Sequence, residues 1–519
     1  MKLIIFHYHL RPGGVRRILE LATPHLLHAR RNLREIVLAA GEATDHRWNE
    51  FYGRHVAPTP VEFFLDPALG YVSEQSARPG IITPRVRAAL RKLFAGATPS
   101  NTLVWAHNLG IARNLVLTRE LTRLCAARGI PLLLHHHDWW FDNRWLRWPE
   151  MRRTGFATLS AAARAVFATA PAVRHLAINQ ADAAVLRHHF GPRAGWLPNL
   201  SECTPAPKPA RRQAAHDWLQ AKIADHGAPV WLLPCRLLRR KNVAEALLLT
   251  RWLRPEAWLV TTGDVSSADE ADYCARLTQA ARRHHWRVRL GVLAGNEARK
   301  PAIPKLLAAS EAVMLTSIQE GFGLPYLEAV AARRPLIARA LPNIAPDLAQ
   351  FGFKFPQYYE EILVHPRLFD WHAEHRRQTR KFAAWKQQLP ASCRRLAGTP
   401  LMLAAPAPQP VPFSRLTLTA QIEVLAHPTR ESWTLCAALN PFLARWRERA
   451  ATGRLQISAW PKTADPWLSG PAYARRFFQF TRRPAGAAPA GAAQAAQQEF
   501  IRAKLDATQL FPLLWSTQS

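Results

Sequence analysis

Two acids bracket a tight turn in the stretch SIQEGFGLPYLEAV (317–330), where Glu320 precedes Gly-Phe-Gly-Leu-Pro and Glu328 follows eight positions later. Pro325 suits the first turn of a helix, which puts Glu320 in the loop and Glu328 on the opening turns. Gly321 and Gly323 leave room for a ligand against the backbone. Carboxylates accept hydrogen bonds from vicinal hydroxyls, so one of the pair can grip a sugar ring and the other a ribose. The plainer alternative is that Glu328 is only a favourable acid near a helix N-terminus.

Fixed cations form a second group. In CRLLRRKNVAEALLL (235–249) Arg236 stands at a strand end and Lys241 five residues later, before a helix. Two such charges can hold a diphosphate and stabilise it as it leaves, or they belong to a solvated basic loop. A third candidate is RPGGVRRILELA (11–22), where Gly13 and Gly14 open a helix whose N-terminus offers free N–H groups to a phosphate or oxyanion.

The elements that must position these groups are short apolar runs alternating with amphipathic segments, the pattern of βαβ units in buried parallel sheets. Strands are expected at LIIF, REIVLAA, TLVWAHN, PLLLHHHD, HLAIN and WLPN, then at VWLLPCR, AWLVTTGD, VRLGVL, AVMLTS and PLIAR. His7, His107, Asn108, His135 to Asp138, Asn199, Arg236, Gly263, Asp264 and Glu320 then nearly all fall just beyond carboxyl ends of strands, where open parallel sheets bind ligands. The expected fold class is α/β: two Rossmann-like lobes facing a cleft, with a mainly helical or irregular C-terminal extension. Boundaries are drawn at 1–200 for the acceptor-side lobe, 201–227 for a linker, 228–395 for the donor-side lobe, 396–414 for a proline-rich linker and 415–519 for an extension of unknown role. The run PAGAAPAGAAQAAQQ (484–498) reads as too poor in large apolar residues to build a core.

At 519 residues the chain exceeds one ordinary core, and 69 Lys+Arg against 37 Asp+Glu give +32, which favours anionic partners. Six scattered cysteines without a C-x-x-C pair argue against a zinc ribbon or disulfide framework and fit a reduced, cytoplasmic setting. The start MKLIIFHYHLRPGG has too few apolar residues for a signal-peptide core or a membrane span.

The block E-GFGLP-Y-L-E (320–328), followed by AVAARRPLIA, resembles the E-x7-E signature of retaining GT-B glycosyltransferases of the family 4 type. Arg236 and Lys241, TGD (262–264), the Gly13–Gly14 turn, HD (137–138) and LPN (197–199) support it, over about residues 1–365. The resemblance implies transfer of a hexosyl group from a nucleotide-diphosphate sugar to an acceptor hydroxyl with retention of configuration. It implies that Glu320 contacts donor-sugar hydroxyls, Glu328 the ribose, and Arg236 and Lys241 the diphosphate. Phe322, Gly323 and Leu324 would lie against the donor with Gly263, His137 would reach the sugar near the reaction centre, and Gly14 would approach the donor phosphate or acceptor. His107, Asn108 and Asp138 are acceptor-side candidates. No metal and no cofactor are implied. The chain departs from the family where Leu200 follows Asn199 in place of glycine, and where ALPNIAP (340–346) replaces the usual glycines.

The charge and 19 tryptophans suggest nucleic-acid binding, yet no helix-turn-helix, zinc-finger or RRM signature accompanies them. A catalytically silent relative is opposed by the intact acids and cations. Consecutive histidines in HHHD point to opposite faces of a strand and cannot all face one ion, so buried or hydrogen-bonded roles are favoured over a metal. The tryptophans of WWFDNRWLRW (139–148) either stack on a sugar or lipid acceptor or pack on the first lobe. In 366–395, Leu368, Trp371, Phe382, Trp385 and Leu389 share a helix face opposite Arg376, Arg377, Arg380 and Lys381. That helix either packs on the second lobe or contacts the inner face of a membrane carrying a lipid-linked acceptor, with packing preferred.

Overall fold

The computed structural model describes residues 1–75, 78–201, 207–265, 267–295, 300–482 and 488–515. The chain forms two compact units: unit one gathers Met1–Glu202, Gln388–Leu396 and Thr463–Lys504, and unit two the remaining segments.

Unit one is built on β1 (Lys2–Phe6), β2 (Glu35–Ala40), β3 (Val61–Leu65), β4 (Thr102–His107), β5 (Leu132–His136), β6 (Val173–Ala177) and β7 (Ala194–Trp196), in the spatial order β3-β2-β1-β4-β5-β6-β7. Neighbours pair in parallel, with Ile4 beside both Val37 and Val104. The apolar runs fill the sheet because both faces are covered by helices, so there is no polar-out alternation. β3 was not expected from sequence: its VEFFL is only half-buried, as suits a sheet edge. β7 ends at Trp196 although WLPN was expected to be strand, because Pro198 has no N–H to extend the ladder.

Unit two repeats the plan with β8 (Val230–Leu233), β9 (Trp258–Thr261), β10 (Val288–Arg289), β11 (Ala312–Leu315), β12 (Leu336–Arg339) and β13 (Gln357–Tyr359), ordered β10-β9-β8-β11-β12-β13 and parallel throughout. The expected strand VRLGVL shrinks to two residues because Gly291 turns the chain with φ 62°. In each sheet the strand order reverses once, between β1 and β4 and between β8 and β11, which is where such sheets open a crevice.

The last third of the chain is mostly helical and packs on both sheets' helices. In unit one, Gly470–Arg482 lies on Gly14–Ala29 so closely that a Cβ on Gly470 would fall 2.0 Å from the His25 ring. The alanine-rich run, read as too poor in large apolar residues to build a core, supplies positions 492–498 of the helix Ala492–Lys504, while positions 484–487 of that run lie outside the described residues. Small alanines let this helix approach Leu159–Val166 and Gln180–Phe190, and Phe500 anchors it on Phe167, with ring centroids 5.8 Å apart. Lys504 Nζ closes the packing on Asp142 Oδ1 at 2.8 Å.

In unit two the proline-rich stretch is tied down, with Val411–Pro412 pairing antiparallel to Leu363–Val364. Of the expected linker 201–227, residues 202–206 lie outside the described residues and Pro209–Ile223 is a helix. The helix Trp371–Gln388 buries Trp371 and Trp385. Gln378, which interrupts its apolar stripe, is also buried and donates to the Arg415 carbonyl at 2.8 Å, so the packing expectation holds for this face. Among the described residues no helix is long and apolar enough to cross a membrane.

Candidate active site

In unit two the switch between β8 and β11 collects the cations and the first acid. Arg236 follows β8 and is exposed. Gly263, after β9, donates its N–H to the Cys235 carbonyl at 2.8 Å. A Cβ on Gly263 would sit 2.9 Å from Arg236 Cγ and 3.1 Å from its Cα, so only glycine lets this turn close over Arg236. Lys241 ends a single 3-10 turn and is buried. Asn242 then takes a left-handed conformation, φ 47°, to start the helix Val243–Leu253. The Thr316 hydroxyl, just past β11, lies 3.1 Å from the carbonyls of both Lys241 and Asn242 and ties this loop to the neighbouring strand.

That tie sets Lys241 against Glu320. Lys241 Nζ pairs with Glu320 Oε1, and Arg240 Nη1 donates to Oε2 at 2.8 Å. Ser317 donates to Oε1 at 2.6 Å, and the Asn343 amide donates to the Glu320 carbonyl at 2.7 Å. Burial alone would raise the Glu320 pKa, but the charges of Lys241 and Arg240 outweigh it and hold the carboxyl down to about 2. Glu320 is therefore a fixed carboxylate. Gly323, φ 80°, turns the chain into the helix Leu324–Ala331, and a Cβ there would lie 2.8 Å from Ile344 Cδ1. Phe322 is buried beside it and Glu328 is half-buried on the helix.

Sequence reasoning singled out Glu320 and Lys241 but missed Arg240, Ser317 and Asn343. Arg240 was visible as the middle of RRK. Asn343 lies in the ALPNIAP segment, whose departure from glycine drew notice while its hydrogen-bonding amide did not.

Also in unit two, Arg339 at the end of β12 is almost fully buried and grips Glu245 with Nη2 at 2.5 Å and Glu361 with Nη1 at 2.5 Å. Burial works against its charge, but the two carboxylates more than offset that and keep it protonated.

In unit one the switch between β1 and β4 places His7, His107 and Asn108 together with the end of β5. Asn108, φ 57°, uses its Oδ1 to accept from the Asp138 N–H at 2.9 Å and the His137 N–H at 3.4 Å, so one side chain shapes the HD turn. Asp138 pairs with Arg144 at 3.2 Å. Burial and the neighbouring histidines push His107 and His137 well below the ordinary range, and burial lowers His135 to about 4, so these imidazoles are neutral at pH 7. Trp139, Trp140 and Trp145 are buried, so of the two readings of that aromatic stretch these three rings follow the packing one. Gly14 opens the helix Gly14–Ala29 with no side-chain cap, and a Cβ there would meet nothing within 4 Å.

Residues 217–354 match the family model described as glycosyl transferases group 1, a span that holds Arg236, Lys241, Glu320 and Glu328. Mannosylglucosyl-3-phosphoglycerate synthase of Petrotoga mobilis is 23% identical over 371 residues, covering 70% of this chain and 69% of that protein. Among solved structures, Anabaena Alr3699/HepE in complex with UDP-glucose aligns at TM-score 0.51 with 16% identity, covering 92% of this chain and 98% of that one. A glycosyltransferase from Rickettsia africae aligns at TM-score 0.50 with 10% identity, over 93% and 97%. The fold is thus that of these structures, two doubly wound parallel-sheet units, and the likenesses together support a glycosyltransferase of GT-B type.

Proposed function

We propose that the protein transfers a sugar from a nucleoside-diphosphate donor to an acceptor hydroxyl with retention of anomeric configuration. The observation that carries this reading is the fixed Glu320 carboxylate held by Lys241 and Arg240 at the β8/β11 switch, inside the span that matches the family model. Neighbouring structures were solved with UDP or UDP-glucose, which supports a nucleotide-sugar donor here.

In this reading Glu320 accepts hydrogen bonds from donor-sugar hydroxyls and Glu328 from the ribose. Arg236 and Lys241 meet the diphosphate, Gly263 keeps Arg236 in place, and the turn Phe322–Leu324 lies along the donor. As the bond from the anomeric carbon to the phosphate breaks and the acceptor oxygen bonds to that carbon, passing its proton to the leaving phosphate oxygen, negative charge grows on the leaving diphosphate, and preorganised cations stabilise it. His137 reaches the sugar near that carbon, Gly14 admits a phosphate or the acceptor, and His107, Asn108 and Asp138 serve the acceptor side. The chemistry is carried by side chains and asks for no metal.

A thermal-shift panel with UDP, GDP and ADP and their sugars tests the donor. One nucleotide series should raise Tm through mass action, and no shift with any of them at millimolar concentration overturns the reading. Proton NMR of the first product then decides the configuration: the anomeric coupling should match that of the donor.

A further inference from the structure

Three imidazoles converge at the β4/β5 edge of unit one. β4 and β5 pair in parallel with His107 opposite His135, and His137 follows two residues on, so it returns to the same side of the strand. His136, between them, turns the other way to stack on Trp139 and to meet His175 at 3.1 Å. The three ring centroids lie 4.8 to 5.3 Å apart, and one nitrogen from each ring lies within 4.8 Å of the others. His107 Nδ1 and His137 Nε2 are 3.1 Å apart.

Hydrogen bonding fixes the state of the second ring. His135 Nε2 is 3.1 Å from the Leu197 carbonyl, which can only accept, so Nε2 carries the proton and Nδ1 presents a lone pair. That Nδ1 is buried and has no hydrogen-bond partner among the described residues. A buried nitrogen without a partner is costly. A histidine that donates one N–H to a backbone carbonyl and turns its other nitrogen inward is held as metal-ligating histidines are held.

We propose that His107, His135 and His137 form a binding site for a divalent transition-metal ion of the zinc, cobalt or nickel class. Three imidazole nitrogens and no carboxylate select such ions over magnesium or calcium, and they leave further coordination positions open. Nitrogens at roughly 2.0 to 2.1 Å from a tetrahedral ion stand roughly 3.3 Å from one another. The His107–His137 pair is already that close, and the His135 nitrogen, within 4.8 Å of the other two, has to come nearer by at most about 1.5 Å to reach that spacing. His107 and His135 are fully buried, while His137 keeps 8% of its surface exposed and gives the ion its way in. The site shares His107 and His137 with the transfer reaction proposed above, so binding is read apart from turnover.

The test titrates chelator-stripped full-length protein with Co2+, following visible absorption, and competes the bound ion with Zn2+ against a chromophoric chelator. The exposed group His188, His189 and Glu499 is a rival cluster, so the His188→Ala/His189→Ala variant is titrated in parallel. One saturable equivalent is expected in the parent and in that variant. His135→Gln and His107→Asn, each checked for native circular dichroism, should weaken binding at least about 10-fold to 100-fold. The proposal is overturned by no saturable equivalent in the parent, by loss of the equivalent in the His188/His189 variant, or by parental affinity in either folded histidine variant.

Discussion

Arg240 Nη1 donates to Glu320 Oε2 and to the Gln319 carbonyl, both at 2.8 Å, so one guanidinium fixes the backbone of the turn and the carboxylate it carries. With Lys241 on the other oxygen, the carboxylate is oriented before any ligand arrives. Preorganisation of this kind moves the work of positioning from the reaction to the folding of the loop.

Glu320→Gln should therefore do two things. Turnover with a verified donor should fall by about 100-fold to 1,000-fold. Stability should also fall, by about 1–3 kcal/mol, because Lys241 and Arg240 lose the charge they face. Initial rates and a urea midpoint measure both, and parental turnover would remove Glu320 from the site.

Arg236 and Lys241 should separate by stability and agree in function. Either alanine substitution should lower turnover about 100-fold and weaken nucleoside-diphosphate binding, for every acceptor, since the leaving group is common to all. Arg236 is exposed, so Arg236→Ala should melt with the parent, whereas Lys241→Ala should melt lower because it uncovers Glu320. EDTA should leave the parent active. Calorimetry with UDP, GDP and ADP that finds parental affinity in both variants would contradict the side-chain account.

The Glu320 carboxyl also sets a pH dependence. Its folded pKa, about 2, lies below the ordinary glutamate value, so its contribution is present above the unfolded value of about 4.3 and is lost as pH falls toward 2. Denaturant midpoints measured from pH 6 down to pH 2.5 should decline more steeply in the parent than in Glu320→Gln. Parallel curves would show that the ion pair contributes nothing in solution.

Arg339→Ala should be among the more damaging single changes in unit two. It leaves Glu245 and Glu361 without the guanidinium that neutralises them, Glu245 being fully buried. Breaking such a pair typically costs about 3–5 kcal/mol. Urea unfolding of the full chain, followed by far-UV circular dichroism, measures the loss.

Local pattern alone carried much of this architecture. Continuous apolar runs can be buried only in a sheet covered on both faces, and the polar residue that ends each run must then stand on the ligand edge. Glu320, Arg236, His107 and His137 were placed near strand ends on those grounds, while Lys241 was singled out only as a cation before a helix. The short edge strand VEFFL and the three-residue β13 were not legible, because half-buried or aromatic-rich segments of that length carry little periodicity.

What the tertiary structure decided were relationships between residues distant in sequence. Lys241 and Glu320 are 79 positions apart, and their meeting depends on β8 and β11 being neighbours and on Thr316 tying the two loops. The histidine cluster depends on the register that sets His107 opposite His135; reading HHHD alone, a strand's alternation spoke only against three consecutive ligands. The alanine-rich helix Ala492–Lys504 belongs to unit one because small side chains permit close approach there and Phe500 anchors it, while the run 484–498 by itself held no large apolar residue to place it. A sequence fixes which surfaces are apolar and which groups can ionise. Pairing order and register choose the partners, since backbone ladders between strands decide which side chains are brought within reach of one another.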